Sequence, residues 1–466
     1  MRRVRARRRI AAAAVGVTTL ANIALLSPAL SGSAVAAPVH AVHPAPSARG
    51  AKAVPAVAGQ QSENAAHGLL TTGECQAKWQ ISCYSPNQLR QAYNLNALYQ
   101  AGVTGKGRTI VIVDSFGSPT IQHDLDVYSS RFGMKSTHVD VVKWGNVPRF
   151  DSTNPDQVGW AGETTLDVEM AHAVAPDAHI VLVESGADQN GDGTTGLREM
   201  MDAEKSLIDR GVGDVISQSF GATENTFPGF RNGDFSSIEN LRYAFKDAAK
   251  HKVTVLAASG DGGATNTTAS GNGDYPYGVN AWPSSDPLAV SVGGTQLHLD
   301  AKGDRIAPDS VFNDEGASGG GPSHVFARPS YQSGVEQVVG DHRGTPDVSM
   351  SAALKGGAWV YSSYDPKRVG WQVYVGTSEA SPLFAGIVAL ADQVAGHRLG
   401  DIHQALYALS AQPARNPSTG IVDVKDGTNN SYAGVTGYTA AKGYDMATGV
   451  GTIDAARFVP ALAKEG

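Results

Sequence analysis

The 466-residue sequence predicts an α/β fold, a mainly parallel sheet with helices on both faces. Three observations lead there. From Tyr84 onward, short apolar runs alternate with helical patterns. Ser259-Gly260-Asp261-Gly262-Gly263 follows one such run directly; α/β folds carry their site residues at the C-terminal ends of strands. Gly376-Thr377-Ser378 stands just ahead of the apolar run 383–390, a hydroxyl on a small-residue turn at the mouth of a helix.

The chain opens with six arginines between residues 2 and 9, then an apolar stretch from 10 to about 30, then Ala34-Val35-Ala36. Residues 1–36 read as a secretion signal with a small-residue cleavage site, which makes the mature protein extracellular. Prolines and serines interrupt the apolar stretch, and no second candidate span follows. Removing the signal takes the formal charge from −7 to −13, which argues against nucleic acid and anionic membranes as partners. The partners expected are protein or peptide substrates, met by a monomer.

Residues 37–83 read as a flexible leader, rich in Ala, Pro, Val, Ser and Gly and without a period as far as about 70. Its two cysteines, Cys75 and Cys83, are the only ones in the chain, and a small-loop disulfide is expected outside the cytosol. They lack the second pair or nearby histidine that a zinc site needs. Residues 84–466 form the predicted catalytic domain. Strands are predicted over 110–113, 180–183, 215–219, 253–257, 288–292 and 359–361, and helices over 89–98, 163–174, 197–210, 236–251, 382–394 and 402–409.

Something must deprotonate Ser378 if it is a nucleophile. None of the 13 histidines lies in a His-Gly-Thr-His context. Carboxylates fit better. In the stretch 162–177, Leu166, Met170, Ala173 and Val174 recur at helical spacing and predict an amphipathic helix. Glu163 and Asp167 are four apart and share one face of it. Such a pair destabilises a helix by a few tenths of a kcal/mol unless it shares a proton or does chemistry.

Together with Ser85-Pro86-Asn87-Gln88-Leu89, Gly293-Gly294-Thr295, Ser318-Gly319-Gly320-Gly321 and Pro346-Asp347-Val348-Ser349, these segments resemble the sedolisin family, the serine-carboxyl peptidases. The resemblance covers 84–466 and implies a subtilisin-like α/β fold. It implies a secreted serine-type endopeptidase working at acidic pH, with tripeptidyl-peptidase action as a variant. It makes Ser378 the nucleophile, Glu163 the general base, Asp167 its orienting partner and Asp261 a protonated donor to the oxyanion. Ser219, Gly221, Ser318 and Gly319 fall in segments that bind substrate backbone by strand addition. Phe220 stands where the family commonly has Trp. One structural Ca2+ is implied, held by the side chains of Asp423 and Asp445 and the carbonyls of Val424, Ala441 and Gly443. The leader is too short for the family's large pro-domain. Two rival readings stand beside this one: a secreted non-catalytic binding protein on the same fold, and a subtilisin-type protease using Asp114.

Overall fold

The computed structural model describes residues 56–62, 68–189, 195–411 and 419–466. The expected secretion signal lies outside these residues, as does part of the leader. Among the described residues no helix is long and apolar enough to cross a membrane.

The central sheet has eight strands: β1 (Thr109–Ser115), β2 (Val139–Trp144), β3 (His179–Ser185), β4 (Val215–Gln218), β5 (Thr254–Ala258), β6 (Val290–Gln296), β7 (Ser310–Val311) and β8 (Val348–Ser351). Their order is β7-β6-β5-β4-β1-β3-β2, with β8 also pairing β6. Every pairing is parallel except β6 with β7.

The period-two alternation of strand side chains divides the core. Ile110 and Ile112 of β1 join one apolar cluster, and Val111 and Val113 join another. The first includes Leu166 and Met170 of α1 (Pro155–Val174) and Leu383 and Ile387 of α4 (Thr377–Ala395). The second includes Leu197 and Met201 of α2 (Thr195–Asp209) and Ala244 and Phe245 of α3 (Tyr243–Lys250). Helices therefore cover both faces, as the sequence predicts.

Several local expectations are corrected. The helix predicted over 89–98 is two, Pro86–Ala92 and Asn96–Gln100. Asn94, with φ of 58°, sits between them in the left-handed region that ends helices. The helix carrying Glu163 and Asp167 is not amphipathic, because every residue from Trp160 to Val174 is buried. It packs beside α4 and against β1, and the helix Ile121–Arg131 and the strand Gly357–Ser362 also cover it, so residues 160–174 have no solvent face.

The leader is not flexible throughout. Ala56–Ser62 is a strand, paired antiparallel with Gly370–Val375. Thr72–Trp79 is a helix whose capping box joins Thr71 and Glu74. Cys75 and Cys83 are disulfide-bonded, and both are buried. Cys83–Tyr84 then pairs with Gly357–Ser362, completing a second, four-stranded sheet.

Candidate active site

Four chain segments meet at the C-terminal edge of the central sheet. Asp114 is the penultimate residue of β1, Ser219 follows β4, and Asp261 follows β5 by three residues. The fourth, Ser378, lies in the first turn of α4, after the strand Gly370–Val375.

Gly376 joins that strand to α4 at φ of 123°, and a Cβ there would lie 2.8 Å from Asp261 Oδ2. Only glycine allows both the backbone angle and the close approach. Asp261 and the nucleophile's turn are tied twice. The Thr377 amide donates to Asp261 Oδ1 at 2.7 Å, and the Gly260 amide donates to Thr377 Oγ1 at 3.0 Å.

Pro382 sits inside α4. Lacking an N–H, it cannot donate to the carbonyl four residues back, that of Ser378. The Ser219 hydroxyl reaches that carbonyl instead, at 3.5 Å. Ser381 and Ser217 share a 2.9 Å hydrogen bond beside it. At the Ser378 carbonyl, β4's extension thus supplies the bond that the helix's own ladder lacks.

α1 and α4 pack closely because Gly386 lies against Val174, where a Cβ would approach within 2.5 Å. This brings Glu163 to the nucleophile. Glu163 is 1% exposed, and Asp167 and Ser378 are 0% exposed. The Ser378 hydroxyl approaches Glu163 closely enough to favour its ionised form, without completing a well-formed hydrogen bond. Geometry of this kind commonly tightens only when substrate is bound.

The electrostatics follow from burial. Desolvation pushes Glu163 well above the usual glutamate range, and Asp167, Asp114 and Asp261 add to the effect. Asp167 is likewise raised, by desolvation and then by Asp114, while the Ser219 hydroxyl partly offsets this. Asp114 is raised to about 7, chiefly by burial. Three carboxyls thus sit in one enclosed volume, where like charges oppose full ionisation and protons are shared. Asp261 is also raised by desolvation, against the Thr377 hydrogen bonds that favour its charge, and it keeps a partial opening to solvent.

Asp114 was the acid of the subtilisin-type reading. The groups acting on it are the Thr164 hydroxyl and Glu184, with no histidine among them. It belongs instead to the carboxyl cluster, a role missed in the sequence although its place at a strand end was legible. Ser219 was assigned to substrate, but its side chain is buried and turned toward Asp167 and Ser378. The Ser318 side chain also points inward, donating to the Ala447 carbonyl at 2.8 Å and accepting from the Gly294 amide. Contact of either residue with substrate is left to its backbone. Gly221 lies against Ala281 and Trp282, and Gly319 hydrogen-bonds the Gly260 carbonyl at 2.8 Å beside Asp261.

The segments at 423–424 and 441–445, which carry the expected calcium ligands, meet at Asp423 and Gly443. The Gly443 amide donates to Asp423 Oδ1 at 3.1 Å and the Ala441 amide to Asp445 Oδ2 at 2.9 Å. The donors are all oxygen, as calcium requires, and burial raises the Asp445 pKa. Two carboxylates supplemented by the three carbonyls make a set that fits the ion. Lys425 Nζ lies 3.5 Å from Asp423 Oδ2. Among the described residues, no three His, Cys, Asp or Glu side chains are grouped as a metal site.

A buried serine on a strand–turn–helix at the edge of a parallel sheet defines a subtilisin-like serine peptidase architecture, here with carboxyls beside the serine where an imidazole is usual. Residues 153–434 match the subtilase family model. Kumamolisin from Bacillus sp. (strain MN-32) is 31% identical over 84% of this chain and 66% of its own length. Sedolisin from Pseudomonas sp. (strain 101) is 30% identical over 89% of this chain and 68% of its own. The chain therefore belongs to the sedolisin family, and it spans about two thirds of the length of these relatives. The solved structure of the Pseudomonas sedolisin, a serine-carboxyl proteinase complexed with two molecules of pseudo-iodotyrostatin, is 27% identical. It superimposes with a TM-score of 0.69 over 83% of this chain and 99% of that one.

Proposed function

We propose that this protein is an exported serine-carboxyl peptidase that hydrolyses peptide bonds in acid. The single observation that carries the reading is the convergence of Ser378, Glu163 and Asp261 at one buried turn.

Ser378 attacks the carbonyl carbon of the scissile bond, and Glu163 takes its proton. Asp167, whose charge acts on Glu163, orients it by sharing a proton with it, and Asp114 takes part in the same cluster. The tetrahedral intermediate places negative charge on the former carbonyl oxygen. Asp261, protonated, donates to that oxygen through Oδ2, since Oδ1 already accepts from Thr377. Collapse expels the amine, which receives the proton held by Glu163. Water then releases the acyl group by the reverse sequence.

The calcium ion belongs to the same proposal, held by Asp423, Val424, Ala441, Gly443 and Asp445. When bound it supplies charge neutralisation in the C-terminal loop and takes no part in the reaction.

The test is digestion of a peptide library from acid to neutral pH with mass-spectrometric readout. Cleavage greatest in acid supports the reading. A profile peaking at neutral or alkaline pH contradicts the carboxyl mechanism, and no cleavage at any pH favours the non-catalytic binding protein.

A further inference from the structure

We propose that Glu224 is a positioning residue that fixes the spacing of the two substrate-binding segments, and that it does so as a carboxylate. The proposal rests on the peptidase reading.

One segment, 219–221, adjoins the nucleophile through the Ser219 hydroxyl and the Ser378 carbonyl. The other, 318–319, adjoins the oxyanion acid. There the Ala317 amide donates to the Asp261 carbonyl at 2.9 Å, and the Gly319 amide to the Gly260 carbonyl at 2.8 Å. Each segment is therefore anchored at its inner end to a different catalytic group.

Their outer ends meet at Glu224. This residue comes three after Gly221 and is completely buried. The Ser323 hydroxyl donates to its Oε1 at 2.5 Å, and the His324 amide donates to its Oε2 at 2.7 Å. Ser323 Oγ in turn accepts the amides of Val325 at 3.0 Å and Phe326 at 2.9 Å. Behind this lies Asn280, whose carbonyl accepts the Glu224 amide at 2.9 Å and whose Nδ2 donates to the Gly321 carbonyl at 2.8 Å. One acidic side chain is thus the acceptor that joins both walls of the cleft.

A carboxylate suits this place because it only accepts, and both oxygens face donors. Protonation converts one oxygen into a donor and breaks one of the two links. The other groups acting on Glu224 are the hydroxyl of Ser285 and the side chain of His324, whose ring lies 3.3 Å from Asn225 Oδ1. Burial pushes Glu224 above the usual glutamate range, while its hydrogen bonds pull it partly back. Its protonation on acidification therefore begins at a higher pH than that of an ordinary glutamate. Protonation there loosens the cleft and raises KM without touching the proton transfers at Ser378.

The experiment is KM and kcat as functions of pH for the wild type, Glu224→Gln and Ser323→Ala, on one peptide substrate. Glu224→Gln should raise KM roughly tenfold while kcat stays within about twofold, and should remove the rise of KM at the acid end. Ser323→Ala keeps the carboxyl, so KM should rise while the wild-type pH dependence persists. A wild-type KM that does not rise in acid overturns the proposal. So do KM curves for both variants that overlay the wild type, or losses confined to kcat. If Glu224→Gln does not fold, an unchanged KM in Ser323→Ala suffices to overturn it. A wild type that cleaves nothing sinks the peptidase reading itself, a result distinct from an active enzyme with indifferent variants.

Discussion

Thr377 donates its backbone amide to Oδ1 of Asp261 at 2.7 Å, so the residue just before Ser378 fixes the orientation of that carboxyl. Oδ2 is left to carry a proton toward substrate. Asp261→Ala should lower kcat by roughly 100- to 1000-fold, the usual loss for one oxyanion donor. Asp261→Asn keeps an acceptor for Thr377 and a donor that needs no proton. Its alkaline loss of activity should therefore be blunted relative to the wild type. Steady-state pH profiles of the two variants check this.

Ser378→Ala should abolish cleavage of a denatured protein at acid pH, on the order of a millionfold for the loss of a working nucleophile. Its melting curve should stay close to that of the wild type, because the hydroxyl makes no well-formed hydrogen bond. Persistent acid cleavage by this variant would remove Ser378 from the mechanism.

Stability should fall as pH rises. Asp114 and Asp392 are raised to about 7 and Glu379 to about 8, each chiefly by burial, and burial also raises Glu163 and Asp167 well above the usual carboxylate range. A carboxyl with a raised folded-state pKa binds more protons folded than unfolded, so folding is favoured below about 4 and loses ground up to about 8. His403 acts in the same direction. Burial alone would depress it, but Asp401 and Asp347 hold it at about 9. Its contribution is complete below about 6.5 and lost as pH passes through about 9. Calorimetry should therefore give a Tm that declines from pH 4 to pH 9. A Tm that climbs toward neutrality would contradict these environments.

The leader strand should matter to stability. A chain beginning at residue 68 lacks the partner of Gly370–Val375 and leaves that edge open. It should melt lower, by roughly a few degrees, and aggregate more readily. Equal melting and equal solubility of the two chains would show that the pairing contributes nothing.

Chelation should lower Tm if calcium occupies the Asp423–Asp445 loop, because an ion bound only by the folded state stabilises by mass action. Asp445→Asn should abolish that dependence. Identical wild-type curves with and without chelator would remove the metal from the account.

The sheet was legible because its central strands are apolar runs bounded by turns, and the helices over both faces followed from the alternation. The edge strand β2 was not. Its sequence, Val-Asp-Val-Val-Lys-Trp, carries two charges among its apolar residues and is largely exposed. The strand at 56–62 reads as a small-residue, polar tract, and only its partner strand makes it extended. At the site, residue identities were legible but surroundings were not. The spacing of Glu163 and Asp167 gave their common face, yet nothing local revealed that the helix is enclosed from Trp160 to Val174. Asp114 and Ser219 join the carboxyls through tertiary contacts that no sequence window contains.

Pro382 has a practical consequence. An effort to make this protein more heat-resistant would single it out as a helix-interior proline to be replaced by alanine. The new N–H would compete with Ser219 for the Ser378 carbonyl and draw that residue into a regular helical ladder. Greater heat tolerance would then come with a loosened tie between Ser378 and the strand extension that carries Ser219.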